Sequence, residues 1–185
     1  MTTSSIVQYH HKSKLKGPLL ECMVNCGLRP NIQIAESDLR AELSNGEIYY
    51  LYPVEEKVAW FVSWWPRLSH DRRGEFELFH IWVDQSVQAK GIGSQLFSHL
   101  IVQAKAHYSG KDSHLRKFRL TTALTNTNAH SFYEHQGMVV TGFSEHRFGN
   151  QKQELEYALL FDEHWNIRTD ITDRKKGIVD LLTET

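Results

Sequence analysis

The part of the sequence that most constrains the fold is residues 75–107, whose pattern predicts a strand, a turn and a helix. Its first segment, Phe76–Val83, carries large apolar side chains on both faces of the pleat. Such a strand is normally covered on both sides, so we predict that it lies in the centre of a sheet. The second segment predicts an amphipathic helix, because apolar residues recur at helical spacing. They are Leu96, Phe97, Leu100, Ile101, Ala104 and Tyr108.

The turn between this strand and this helix carries two glycines, Gly91 and Gly93, and a positive charge at Lys90. Glycine lets the backbone approach a ligand closely, and the first N–H groups of a helix favour an anion. The turn therefore predicts a phosphate or pyrophosphate site. It is not a Walker loop, because Gly93 is followed by Ser94, and it is not a dinucleotide fingerprint, because position 96 is Leu.

The spacing of residues around this turn matches a known motif. Starting at Val83, the chain reads V-x-x-x-x-Q-x-x-G-x-G, with Gln88, Gly91 and Gly93 at the defined positions. This pattern resembles the acetyl-CoA-binding motif of the GNAT superfamily of N-acyltransferases, V-x-x-x-x-[Q/R]-x-x-G-x-[G/A]. The family often has proline where this chain has Gln85.

A second stretch matches the same family. From Asn126 to Met138 the chain reads N-x-x-A-x-x-F-Y-x-x-x-G-M, which resembles the family's N-x-x-A-x-x-[F/L]-Y-x-x-x-G-F with Met138 in place of Phe. It follows the first motif at the expected distance and in the expected order. Two motifs in register arise by chance far less often than either one alone. The resemblance covers residues 57–161.

The rest of the pattern predicts a mixed α/β fold, because strand and helix alternate in the middle of the chain and hairpins lie at both ends. We predict a helix after Pro18, a second helix over Glu36–Leu43 and a hairpin over Glu47–Trp65 that ends at Pro66. The resemblance implies the same class: a central, mostly antiparallel mixed sheet flanked by helices, with splayed central strands.

The length of the chain favours one domain. We expect residues 1–161 to form a single acyl-CoA N-acyltransferase domain and residues 162–185 to be a C-terminal appendage. With a net charge of −1, nothing argues for bulk electrostatic binding to nucleic acid or to an anionic membrane. No apolar run approaches the ~20 residues of a membrane span, and the first residues lack the apolar core of a signal peptide.

The cysteines and histidines bear on the cellular compartment and on metal binding. Cys22 and Cys26 are four residues apart, a spacing open to a redox or metal pair, but without nearby ligands we favour buried, reduced thiols. The 11 histidines lack the spacing of zinc sites. We therefore expect a cytoplasmic protein without a metal.

The resemblance implies acetyl-CoA as co-substrate. Its pantetheine arm would bond to main-chain groups of Ile81 and Val83. Its pyrophosphate would lie on the turn formed by Gln88, Ala89, Lys90, Gly91, Ile92, Gly93 and Ser94. Asn126 matches the asparagine of the second motif, whose amide can contact the pantetheine or the tyrosine's loop. Capping of the helix that follows is the competing role for Asn126.

The resemblance also implies a general acid, Tyr133, which matches the family tyrosine that often protonates the departing thiolate. A phenol with a pKa near ~10 suits that role at neutral pH. A packed aromatic beside Phe132 is the alternative.

Two residues of the central strand are candidates for the base. Glu77 is a carboxylate in an otherwise apolar strand, which is costly unless it is paired or used, and several family members carry a base there. Solvation, or pairing with Arg72 or Arg73, is the alternative for Glu77. His80 titrates near the working pH but lies on the opposite face of the pleat, where a satisfied core histidine is the competing interpretation.

The resemblance therefore implies an N-acetyltransferase that moves the acetyl group of acetyl-CoA to a primary amine by direct attack in a ternary complex. The alternative is a non-catalytic acyl-CoA-binding sensor or assembly module, since fold alone never establishes turnover. The acceptor stays open among small amines, amino acids, antibiotics, polyamines and protein amines. Trp60, Trp64, Trp65 and Trp82 are candidates for an acceptor pocket or for the core. A homodimer through the last hairpin or the tail is a further hypothesis.

Overall fold

The computed structural model describes residues 6–67, 74–88, 91–109, 113–145, 153–175 and 178. Within these ranges the chain forms seven strands and four helices. In chain order they are β1 (Val7–Gln8), α1 (Lys16–Asn25), α2 (Ile32–Ser44), β2 (Ile48–Val54), β3 (Lys57–Arg67), β4 (Glu75–Val83), α3 (Ile92–Ser109), β5 (Lys117–Ala123), α4 (Thr127–His135), β6 (Val139–Glu145) and β7 (Gln153–Leu160). None of these helices is long and apolar enough to cross a membrane.

The strands form one mixed sheet in the order β1-β2-β3-β4-β5-β7-β6, which confirms the predicted fold class and the central place of β4. The β1/β2, β2/β3, β5/β7 and β6/β7 pairs are antiparallel. Strand β4 is parallel to β5, with Glu75–Glu77 opposite Lys117–Arg119. This register ends six residues before β4 itself ends at Val83. Strand β3 continues through Pro66 to Arg67, past its predicted end, since proline is tolerated near the end of a strand.

The chain divides into two compact units, Met1–Pro66 with Leu78–Ser98 and Arg67–Glu77 with His99–Thr185. The core of the first unit joins α1 and α2 to β2 and β3 through buried apolar side chains. They include Leu19, Met23, Ala35, Leu39, Leu51 and Phe61. Burial of each large side chain contributes roughly 1.5–3 kcal/mol, so hydrophobic packing holds the two helices on these strands.

Both predicted helices of the first unit are present, and both begin earlier than predicted. Helix α1 starts at Lys16, so Pro18 is its third residue. Helix α2 starts at Ile32 rather than Glu36. The reason is that the Asn31 side chain accepts a hydrogen bond from the Ile34 N–H (2.9 Å) and caps the helix. The acidic residues that suggested the later start lie inside the helix.

The second unit is built around aromatic side chains on β4, β5, β7 and α4. Phe76 and Phe118 are opposite each other in the β4–β5 register, and their rings stack with centroids 4.1 Å apart. On the far side of β5, the buried Tyr157 of β7 lies 5.8 Å from the ring of Tyr133 on α4. Such pairs add to the stability that burial provides.

The stretch from β4 to α3 has the predicted order, but one expectation about its burial is wrong. Helix α3 buries the predicted face at Leu96, Phe97, Leu100, Ala104 and Tyr108. In β4, residues 76–78 are buried, whereas residues 79–83 are only partly buried. The second half of the strand is therefore not covered on both faces, because Trp82 there lines a cavity of the first unit.

Candidate active site

Two side chains determine how the chain leaves β4. The carboxylate of Asp84 accepts hydrogen bonds from the N–H of Ser86 (2.9 Å) and from its hydroxyl (2.5 Å), which starts a single turn of 3-10 helix. These bonds hold the pKa of Asp84 below its usual range. The Gln88 side chain then donates to the Val83 carbonyl (2.8 Å). The first residue of the predicted pyrophosphate turn is thus tied to the last residue of the strand.

Gly91 opens α3 in a conformation that favours glycine. Its φ is +73°, and a Cβ atom added there would have no other atom of the described residues within 4 Å, its chain neighbours aside. Its carbonyl accepts the first bond of the helix, from the Gln95 N–H (3.1 Å). Ile92 and Gly93 therefore begin the first turn of α3, where backbone N–H groups are directed out of the end of the helix, which is the arrangement that binds anions.

The other predicted cofactor residues of the first unit lie on either side of this turn. Ile81 and Val83 are in the partly buried half of β4. The Val83 carbonyl already accepts one bond, from Gln88, and keeps a second lone pair. Ala89 and Lys90 lie outside the described residues.

His80 lies in the middle of β4 and faces two polar side chains of the same unit. Its Nδ1 is 2.9 Å from the Ser63 hydroxyl on β3 and 3.5 Å from the Glu47 carboxylate. Glu47 is buried, and within the described part of the chain its Oε1 has no hydrogen-bond partner. The two contacts of Nδ1, with Ser63 and with the Glu47 carboxylate, therefore orient the imidazole ring of His80.

The neighbours of Nδ1 favour one of the two neutral forms of His80. The Glu47 carboxylate, 3.5 Å away, can only accept, so it favours a hydrogen on Nδ1. The Ser63 hydroxyl oxygen can accept from the same N–H. In the neutral ring Nε2 is then unprotonated. No hydrogen bond to Nε2 occurs among the described residues, so its lone pair can take a proton.

Glu77 is buried in the second unit between two arginines. Its side chain is 3% exposed, and Oε2 accepts hydrogen bonds from Arg67 (2.5 Å) and Arg119 (3.0 Å). The alternative partners Arg72 and Arg73 lie outside the described residues. Burial and the neighbouring Arg119 charge lower the pKa of Arg67. Two guanidinium groups on one oxygen favour the charged carboxylate.

Tyr133 lies on α4, a helix whose N-terminus is capped by a side chain. The Asn126 side chain accepts a hydrogen bond from the Ala129 N–H (3.3 Å), so Asn126 caps the helix. Burial raises the pKa of Tyr133, which keeps the phenol protonated at neutral pH. Its ring packs against Phe132 and Tyr157, and no hydrogen bond to its hydroxyl is found within the described ranges. The hydroxyl can therefore donate to a ligand.

The first unit contains a cavity of about 770 Å³ between α1, the start of β3 and the end of β4. Glu21, Asp84 and Lys57 line it, so two carboxylates face one ammonium group. Of the tryptophans proposed for an acceptor pocket, Trp82 lines this cavity. Both cysteines also line it, as free thiols. In the described part of the chain, no group of three or more His, Cys, Asp or Glu residues is suited to a metal ion.

Comparison with protein families identifies the family of this chain. Residues 21–138 match the model of the Acetyltransferase (GNAT) family. The chain belongs to the GNAT family. The match confirms the resemblance carried by the two motifs and extends it to the second half of α1 and to α2, where no motif was recognisable.

Solved structures of acetyltransferases share the fold at low sequence identity. An aminoglycoside 6'-N-acetyltransferase complexed with coenzyme A matches with a TM-score of 0.66 over 84% of this chain and 96% of that chain, at 15% identity. The ribosomal-protein-alanine N-acetyltransferase of Brucella melitensis matches at 0.63 over 84% and 99%, with 17% identity. An N-acetyltransferase from Staphylococcus aureus Mu50 matches at 0.63 over 85% and 99%, with 19% identity. At these identities the likeness shows the fold alone. Comparison with curated proteins gives no match.

In this GNAT chain, sequence reasoning missed the residues that surround His80. Glu47 and Ser63 belong to the predicted hairpin Glu47–Trp65, which carries no family motif. One signal was present, because Ser63 is the single hydroxyl in the run Val58–Trp65. A hydroxyl in a strand that is otherwise apolar needs a partner.

Proposed function

We propose that this GNAT protein is an N-acetyltransferase that transfers the acetyl group of acetyl-CoA to a primary amine by direct attack in a ternary complex. The observation that carries the proposal is the turn at Gly91, which opens α3 within the family's acetyl-CoA motif at φ +73° and with open space before it. The aminoglycoside acetyltransferase that shares the fold was solved with coenzyme A, which supports the same cofactor here.

Acetyl-CoA would bind along β4 and the turn that follows it. The pyrophosphate would lie on the N–H groups of residues 88–94, at the positive end of the α3 dipole. Main-chain groups of Ile81 and Val83 would bond to the pantetheine, because the register of β4 with β5 ends at Glu77. The side-chain amide of Asn126 would add a contact from the start of α4.

The transfer needs one group that takes a proton and one that gives a proton. The lone pair of the amine forms a bond to the thioester carbonyl carbon, the C–S bond breaks, and sulfur leaves with the electron pair. Nε2 of His80 would take the proton that the amine loses. The hydroxyl of Tyr133 would donate its hydrogen to the leaving sulfur.

The geometry favours His80 over Glu77 as the base. Oε2 of Glu77 accepts bonds from Arg67 and Arg119, and a carboxylate held by two cations gains little by taking a proton. The Nδ1 of His80 faces Ser63 and Glu47, which orients the ring and leaves Nε2 as the basic nitrogen. Glu77 stays a candidate by its place in the strand, and the two are separable by mutation.

We expect His80→Gln to lower kcat about 100-fold to 1000-fold, the range of a lost general base, with the KM for acetyl-CoA nearly unchanged. Release of free thiol with an amine acceptor measures this. His164→Gln, at an exposed histidine (77% of its side chain), is the matched control. Turnover of His80→Gln at the wild-type rate would place the base elsewhere. Binding of acetyl-CoA without thiol release by wild type, for every amine screened, would favour the acyl-CoA-binding module.

We expect Tyr133→Phe to lower kcat about 10-fold to 100-fold, because the leaving thiolate loses a hydrogen-bond donor. Binding of acetyl-CoA and thermal stability should stay near wild type, since the ring packing is kept. Calorimetry with acetyl-CoA and thiol release measure the two effects. Unchanged kcat would make Tyr133 a packed aromatic with no part in the chemistry.

The acceptor screen is best started with amines that carry a second positive charge. Two carboxylates and one ammonium group line the cavity of the first unit, beside the ring of Trp82. Carboxylates and an aromatic ring both attract cations. We place the enzyme in the cytoplasm, since both cysteines are free thiols and suit a reducing compartment.

A further inference from the structure

The chain that follows β7 turns back along the second unit. Asp162 accepts hydrogen bonds from the N–H groups of His164 and Asn166 (both 2.8 Å), which makes a tight turn. After the turn, the Arg168 N–H donates to Leu160 (2.8 Å). The segment then reaches β6, where Arg174 N–H donates to the Val140 carbonyl (3.0 Å). The C-terminal segment is thus hydrogen-bonded to both strands of the last hairpin.

At its end this segment makes an ion pair with α4. The Lys175 ammonium lies 2.5 Å from Oε1 of Glu134, and both side chains are a little over one third exposed. The backbone of Lys175 is held by the Asp173 carboxylate, which accepts from its N–H (2.7 Å). The bond from Lys175 is the main cause that holds the pKa of Glu134 below its usual range. Glu134 therefore stays charged and can accept further bonds.

The same oxygen of Glu134 also holds a buried tyrosine. The Tyr157 hydroxyl on β7 donates to Oε1 of Glu134 (2.9 Å). The hydroxyl lies 3.0 Å from Nδ1 of His130, whose Nε2 lies 3.0 Å from the Leu124 carbonyl. A series of polar contacts therefore runs from the tail through Glu134, Tyr157 and His130 to the loop before α4.

This series of contacts lies beside Tyr133. Tyr133 precedes Glu134 in the sequence, and its ring packs against the ring of Tyr157. Helix α4 has nine residues, too few to be stable without outside contacts. The direction of the Tyr133 side chain therefore depends on the groups that fix the helix from outside.

We propose that Lys175 is a positioning residue, which orients α4 and its Tyr133 by holding the Glu134 carboxylate against the Tyr157 hydroxyl. The effect on catalysis rests on the role proposed above for Tyr133. The effect on the helix does not. The two are tested separately.

Hydrogen exchange tests the helix without any acceptor. In Lys175→Met we expect the amides of α4 to exchange about fivefold faster, as for a locally loosened segment, while those of β7 stay unchanged. An exposed ion pair contributes little to global stability, so the melting temperature should hardly move. Arg168→Met is the matched control, because Arg168 pairs with Asp170 on the same segment. Unchanged exchange in α4 would overturn the proposal, whatever the activity of the enzyme.

Kinetics test whether the effect passes through Tyr133. We expect Lys175→Met to lower kcat about threefold to fivefold with an unchanged KM for acetyl-CoA, and Lys175→Arg to restore it. In the Tyr133→Phe background, Lys175→Met should lower kcat no further, because groups that act as a unit are not additive. An equal loss in both backgrounds would overturn the part of the proposal that concerns Tyr133.

Discussion

Replacing Gly91 with glutamate is expected to weaken acetyl-CoA binding at least about 100-fold, which corresponds to roughly 2.7 kcal/mol. Two effects add. An L-residue at φ +73° is strained by roughly 1–2 kcal/mol, so the turn shifts. The open space before Gly91 would also receive a carboxylate, which repels the pyrophosphate. Calorimetric titration with acetyl-CoA measures the loss.

The control for this variant is Gly27→Glu. Gly27 has nearly the same φ, +75°, and an added side chain there also meets nothing within 4 Å. It follows α1, away from the turn, so the same strain and charge should leave acetyl-CoA binding unchanged. Gly91→Ala separates the two effects, because alanine strains the backbone but adds no charge. Wild-type affinity in Gly91→Glu would exclude the turn as the pyrophosphate site.

Replacing Glu77 with glutamine is expected to destabilise the protein by about 3 kcal/mol, the lower end of the range for breaking a buried ion pair. The variant removes the buried carboxylate that Arg67 and Arg119 share, and Arg119 keeps only its longer contact with Glu156 (3.5 Å) among the ion pairs described. For a chain of this length the melting temperature should fall by about 6–12 °C. Thermal and denaturant unfolding measure this. Glu36→Gln is the control, because Glu36 pairs with Lys16 and Arg40 at the exposed surface, and its loss should matter little.

The same variant separates the two candidate bases. If Glu77 is a structural anion, Glu77→Gln assayed well below its melting temperature keeps most of its kcat, whereas His80→Gln loses it. If Glu77 is the base, Glu77→Gln has no activity even at a temperature where it is fully folded, and the assignment to His80 fails.

Local patterns in the sequence were enough to predict the elements that carry the cofactor motif. The apolar strand, the glycine turn and the helical spacing from Leu96 to Tyr108 predicted β4, the turn at Gly91 and α3, because each depends on neighbours within one or two turns of chain. The capping role considered for Asn126 is also local and is present in the structure. The start of α2 was missed although its signal, Asn31, is equally local.

Only the tertiary structure decided which charged and polar groups meet. Sequence neighbours suggested Arg72 or Arg73 for Glu77, whereas Arg119, one of its actual partners, is 42 residues away on β5. Likewise His80 faces Ser63 across 17 residues, and Lys175 reaches Glu134 across 41. The physical reason is that strand register and chain reversal set these distances. A pattern of period 2 or 3.6 shows which face a side chain is on, but not what lies opposite it.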